Sequence, residues 1–151
     1  VFRERGAQFG RFAVSPDDRL IAIATSKQKA ECVEIRALNN GAVIERIPFS
    51  AWETARGVRS LCWSADGRFL CGVGGYYGAA PVWICSLKGG RVPKTIYPAS
   101  ARVTGWSSAD RSFVVSSSDG ASQSISLFSP FANGPRTLFS RKGLSEAAWI
   151  P

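Results

Sequence analysis

The sequence predicts an all-β chain built from four-stranded repeats, and three observations carry that expectation. Trp63, Trp106 and Trp149 stand at intervals of 43 residues. Val33, Val82 and Ile125 each open a short apolar segment 19 residues after a landmark: Val14, Trp63 and Trp106 in turn. No segment has the apolar spacing of an amphipathic helix. A period near 40 residues is the signature of a repeat architecture. Four short strands per period, landmark aromatics and no helices match blades of a β-propeller stacked about a central axis. The fold class expected is therefore all-β: a β-propeller segment of about three four-stranded antiparallel blades plus flanking strands.

Each element follows from its residues. The landmark strands are 8–15, 59–64 and 102–107, with Val14 filling the tryptophan slot of the first repeat. The turns that follow are Ser15-Pro16-Asp17-Asp18-Arg19, Ser64-Ala65-Asp66-Gly67-Arg68 and Ser108-Ala109-Asp110-Arg111-Ser112. Ser and Asp side chains bond local backbone groups, Pro presets φ, and Gly or Asp takes positive φ. In the third repeat the motif slips by one residue, which predicts a longer turn. The second strands are apolar runs, Leu20–Ala24, Phe69–Val73 and Phe113–Val115, as expected of strands buried on both faces. After the third strands come Gly-containing turns at 39–41, 88–90 and 132–134, then fourth strands at 43–47, 92–97 and 137–139. The first interval, from Val14 to Trp63, is 49 residues; its six extra residues are expected around 50–57. The blades are placed at 8–49, 58–98 and 101–140, with flanking strands at 1–6 and 144–151. Because both ends fall inside repeats, a segment of a longer protein is expected.

Two stretches also resemble a known family. Ser15-Pro16-Asp17-Asp18-Arg19-Leu20 and Trp63-Ser64-Ala65-Asp66-Gly67-Arg68-Phe69 are similar to the W-S-P-D-G-K/R-hydrophobic motif of TolB-type, WD-repeat-like blades. Such blades also occur appended to peptidases, kinases and transcription regulators. The resemblance covers essentially the whole chain and implies the propeller fold; its motif is a turn and a core strand, so it implies no particular activity. The chain departs from strict WD repeats. It has no histidine and no Trp-Asp pair, so their hydrogen-bonded network does not carry over.

Composition narrows the function. The 151 residues are 45% hydrophobic, enough for a packed core, and hold no apolar run long enough for a membrane-spanning helix. The net charge is +8, from 14 arginines and five lysines against 11 acids. Those positive charges are scattered through turns and strand ends, unlike the clustered footprint of a nucleic-acid surface. Nothing in the sequence identifies a compartment.

Catalytic chemistry finds no constellation. Without histidine, no Ser-His-Asp or Cys-His arrangement forms within the chain. The acids Asp17, Asp18, Asp66, Asp110 and Asp119 mostly fall at turns, where capping accounts for them. Gly72, Gly74 and Gly75 follow a strand but precede no helix, which fails the context of a phosphate-binding loop. Cys32, Cys62, Cys71 and Cys85 contain no C-x-x-C pair, so no metal or cofactor site is expected. They read as buried small hydrophobes, with a Cys62–Cys71 disulfide open if the protein is exported.

Binding residues are the remaining candidates. Arg59 and Arg102 are 43 residues apart, each four before its tryptophan. Equivalent positions at the start of innermost strands would make one channel mouth electropositive; a solvated strand start is the alternative. Trp52, Tyr76 and Tyr77 stand in expected loops, open to contacts. The function expected is a non-catalytic binding or scaffold module for protein or peptide, its other partner being further blades or an oligomer that completes the ring. The alternatives are the substrate-gating propeller of a larger peptidase-type enzyme, or a carbohydrate-binding propeller using Trp52 or Tyr76 and Tyr77.

Overall fold

Two serines show why the repeats open as hairpins. The Ser15 hydroxyl donates to Asp17 Oδ1 at 2.6 Å and accepts the Leu20 N–H at 2.9 Å. Ser64 repeats both bonds, to Asp66 at 2.6 Å and from Phe69 at 2.9 Å. The same carboxylates accept the Arg19 and Arg68 N–H groups. Asp18 and Gly67 then take left-handed φ values of 55° and 66°, a region that residues other than Gly, Asn and Asp seldom visit.

In this computed structural model the described residues are 8–27, 30–48, 58–74, 81–88, 94–97, 101–118, 121–132 and 134–142. They form three four-stranded antiparallel sheets. The first contains β1 (Gln8–Val14), β2 (Leu20–Lys27), β3 (Ala30–Ala37) and β4 (Val43–Pro48). The second contains β5 (Val58–Trp63), β6 (Phe69–Gly74), β7 (Val82–Ser86) and β8 (Lys94–Tyr97), and the third β9 (Ala101–Ser107), β10 (Ser112–Ser118), β11 (Ser122–Phe128) and β12 (Pro135–Lys142). Within each sheet the strands lie in chain order. The chain is all-β, with sheets in the arrangement of propeller blades. Nine residues separate Pro48 from Val58 and three separate Tyr97 from Ala101; that difference accounts for the longer first interval. The expected flanking strands at 1–6 and 144–151 lie outside the described residues.

Alternation along the strands gives the middle sheet two apolar faces. Trp63, Leu70, Trp83 and Cys85 face the first sheet and join Ala22, Ala24, Val33, Ile35 and Ile47 in one core. Cys71, Val73, Val82 and Ile84 face the other way and join Val103, Phe113, Val115 and Phe128. Each large side chain so buried contributes about 1.5–3 kcal/mol relative to exposure. Gly72 is required by a close approach. It pairs with Trp83 across β6 and β7, and a Cβ there would lie 2.1 Å from the indole ring.

The first strands of the sheets are mutual neighbours, β1 beside β5 and β5 beside β9. Two bonds keep them in phase. Trp63 Nε1 donates to the Ala13 carbonyl at 2.9 Å, and the Val103 N–H donates to Ser60 Oγ at 3.2 Å. The three strands therefore run in the same direction with their beginnings at one end.

One expectation needs correction. The third turn is not longer: four residues lie between Ser107 and its pairing partner Ser112, as between Ser15 and Leu20 and between Ser64 and Phe69. The serine holds its place while the acid moves on, so Ser107 and not Ser108 bonds Asp110 (2.8 Å), and Arg111 takes the left-handed φ of 50°. Keeping that length lets Phe113 occupy the fully buried position of Leu70. Val14 is 42% exposed and does not pack between described sheets. The tryptophan slot points back toward the preceding sheet, and the first described sheet has no described predecessor. Trp106 is half-buried and meets Phe113 edge-on, ring centroids 4.7 Å apart, without Trp63's bond to a neighbouring strand.

Candidate functional site

Antiparallel order sorts the molecule into two ends. The turns after β1, β5 and β9 share one end, and the starts of those strands share the other with the finishes of β2, β6 and β10. At the turn end, every described carboxylate has a cation beside it. Asp17 and Asp18 adjoin Arg19, Asp66 adjoins Arg68, and Asp110 adjoins Arg111 and forms an ion pair with Arg136. The Ser15 hydroxyl and then the Arg19 N–H hold the Asp17 carboxyl below its ordinary range. The Ser64 hydroxyl does the same for Asp66. These acids are structural turn residues.

The start end carries the arginines. Arg59 and Arg102 are each the second residue of their strands, and both are exposed. They directly precede Ser60 and Val103, the residues joined by the bond between β5 and β9, so the two stand at one level on adjoining strands. Arg11 is the residue that sequence reasoning missed. Counting four back from Val14 gives Gly10, yet β1 is irregular there: pairing steps from Phe9↔Thr25 to Phe12↔Ile23, leaving Gly10 and Arg11 opposite Ala24. Ala24, Val73 and Ser116 each lie ten residues beyond their landmark. Arg11 faces the rung of Ala24, Arg59 bulges beside the rung of Val73, and Arg102 pairs with Ser116. All three are exposed, and none forms an ion pair with a described residue. The signal in the sequence was an arginine within one residue of the same offset before Val14, Trp63 and Trp106. Trp52, Tyr76 and Tyr77 lie outside the described residues.

Cys62 and Cys71 offer no reactive site. All four cysteines are free thiols. Cys62 and Cys71 are direct partners across β5 and β6, and burial raises both thiols above the ordinary range, Cys71 much further. Thiols so desolvated stay protonated and are poor nucleophiles. Among the described residues, no three His, Cys, Asp or Glu side chains gather as metal ligands. No helix among them is long and apolar enough to cross a membrane.

This geometry recurs in solved propellers. The chain superimposes on TolB from Acinetobacter baumannii with a TM-score of 0.65 at 18% identity, over 87% of this chain and 32% of that one. The fold is a TolB-like β-propeller. It is equally similar to the β-propeller domain of the Trilobed protease from Pyrococcus furiosus (TM-score 0.65, 14% identity, 98% of this chain, 47% of that one). A eukaryotic initiation factor gives a TM-score of 0.67 at 14% identity, over 92% of this chain and 33% of that one. The chain thus spans from about a third to just under a half of these solved chains. No protein-family model and no curated protein sequence matches it.

Proposed function

We propose that this chain is a non-catalytic recognition module that binds a protein or peptide at the end of the sheets where β1, β5 and β9 begin. The observation that carries the reading is the in-phase alignment of those strands, which brings Arg59 and Arg102 to one level at one end. Rigid strands with loops at their ends are the usual way a propeller presents a binding surface. The similarity to propellers of several kinds supports a fold used for recognition, and the absence of any histidine in the chain argues against hydrolysis by its own residues. A photo-crosslinking side chain at Gln123, exposed at the start of β11, is expected to capture a protein partner from the source cell. The same group at Ala109, exposed at the turn end, is expected to capture none. Adducts at Ala109 alone, or at neither position, would reject the reading.

A second reading has a specific observation behind it. Solved chains similar to this one include a prolyl endopeptidase and an acylaminoacyl peptidase. Under that reading the sheets would form the substrate-gating propeller of a larger enzyme. A fluorophosphonate probe that labels the natural gene product at a serine outside this chain would favour it.

A further inference from the structure

The two ends of the sheets differ in how their charges are compensated. At the turn end Arg19, Arg68 and Arg111 sit beside Asp17, Asp66 and Asp110. At the start end Arg11, Arg59 and Arg102 have no described acid paired with them. Glu34 is engaged elsewhere: Arg36 and Arg46 take both of its oxygens. Among the described residues, Arg11, Arg59 and Arg102 thus place three exposed guanidinium groups without an ion-pair partner on the adjoining strands β1, β5 and β9.

We infer that this arc, Arg11–Arg59–Arg102, is a binding site for an acidic peptide segment carrying several carboxylates. The inference rests on the recognition reading above and names its ligand class. Arginine presents a planar fork of donors that matches a carboxylate in two parallel bonds, which lysine cannot do. The arginines stand on the first strands of three neighbouring sheets, an arrangement that suits a segment carrying several carboxylates better than a lone one. An extended peptide repeats its side chains on one face about every 7 Å, so it presents several acids along the row of strands. Nucleic acid fits less well. Tight binding to it draws on about 6–10 phosphate contacts, and this arc offers three groups.

The test is titration of the full 151-residue chain with fluorescein-labelled hexaglutamate, beside hexaglutamine, at roughly 0.1 M salt, where long-range attraction is screened within about 10 Å. Arg11→Gln, Arg59→Gln and Arg102→Gln are each expected to weaken binding about threefold, and the triple variant roughly thirtyfold, as exposed charge contacts contribute. Two controls separate a site from bulk attraction: Arg68→Gln at the turn end, and Arg141→Gln at the start end but on the outermost strand, both exposed. Neither control should change the affinity. All five side chains are exposed, so unchanged circular dichroism is expected throughout. Equal weakening by the controls, or no binding of hexaglutamate, overturns the inference. So does a single-stranded oligonucleotide of equal charge that binds more tightly and is lost in the same variants. If Gln123 still captures a partner while hexaglutamate fails, the recognition reading stands and the acidic-ligand assignment falls.

Discussion

The backward-facing sides of the first two sheets occupy the same repeat positions and solve the same problem with opposite chemistry. In the second sheet Trp83 and Cys85 stand on β7 with Leu70 and Gly72 beside them on β6. In the first, the matching residues are Glu34 and Arg36 on β3, with Ile21 and Ile23 on β2. Trp83 is 2% exposed and Glu34 5%, so both positions are buried. One is filled by an aromatic ring seated on a glycine. The other holds a carboxylate bound by Arg36 at 2.5 and 2.8 Å and by Arg46 at 2.9 Å. The strand pattern sets burial, and the residue's neighbours set which chemistry can be buried. A glycine opposite leaves room for an indole; an isoleucine opposite does not, and a compact ion pair serves instead.

The largest effect that would sharpen this contrast is at Trp83. Trp83→Ala is expected to cost about 3–5 kcal/mol in urea unfolding, the usual range for a buried aromatic. Gly72→Ala should also destabilise strongly alone, because its Cβ collides with the ring. Combined with Trp83→Ala it should cost nothing further. Additive losses would break the claim that Gly72 exists for Trp83.

At Glu34 the expected loss is about 3 kcal/mol for Glu34→Gln, since the buried Arg36 guanidinium loses its counter-charge. Arg46, whose side chain is 60% exposed, should cost less than about 1 kcal/mol as alanine. Similar losses at the two sites would mean the cluster is not organised around the buried carboxylate.

A smaller difference separates the two tryptophan slots. Trp63→Phe keeps an aromatic ring but removes the bond to Ala13, with an expected cost of about 1 kcal/mol. Trp106→Phe removes no comparable bond and should be near neutral by thermal melting. Equal shifts in Tm would sink the distinction.

The smallest effect is one of pH. The folded-state carboxyls of Asp17 and Asp66 lie below their unfolded values. Their contribution to stability is therefore present above about pH 4, the ordinary aspartate range, and fades as pH falls through the folded values. Asp17→Asn with Asp66→Asn should lower Tm slightly at neutral pH, converge with the parent chain at acid pH and so flatten the fall of Tm below pH 4. An unaltered acid slope would show that the turn acids carry no pH dependence.

Much of this was legible in the residues because turns and core strands are local. The Ser-x-Asp signature names its own hydrogen bonds, and the runs from Leu20 and Phe69 name strands covered on both faces. The bulges were not legible, since they arise from how two strands pair. Gly10-Arg11, Arg59 and Thr104 disturb the pairing at three different places in equivalent strands, which is why counting back from the landmark found Arg59 and Arg102 but passed over Arg11. The exposed Val14 was hidden for a related reason: a repeat position specifies a direction, and the sequence alone does not say what lies in that direction.

The seating of Trp83 on Gly72 also fixes the order of the sheets. Trp63 and Trp83 share their core with the small side chains of Ala22 and Ala24 on the sheet before them. The corresponding positions of the middle sheet are Cys71 and Val73, which receive Phe113 and Val115. A tandem copy of the middle sheet would press two indoles onto bulkier side chains than the alanines they now meet. The repeats share a ground plan but are not interchangeable parts. Duplication could have produced such a chain, but further duplication or shuffling now would require the mating surfaces to change together. Each sheet carries, in the sizes of its side chains, the address of its neighbour.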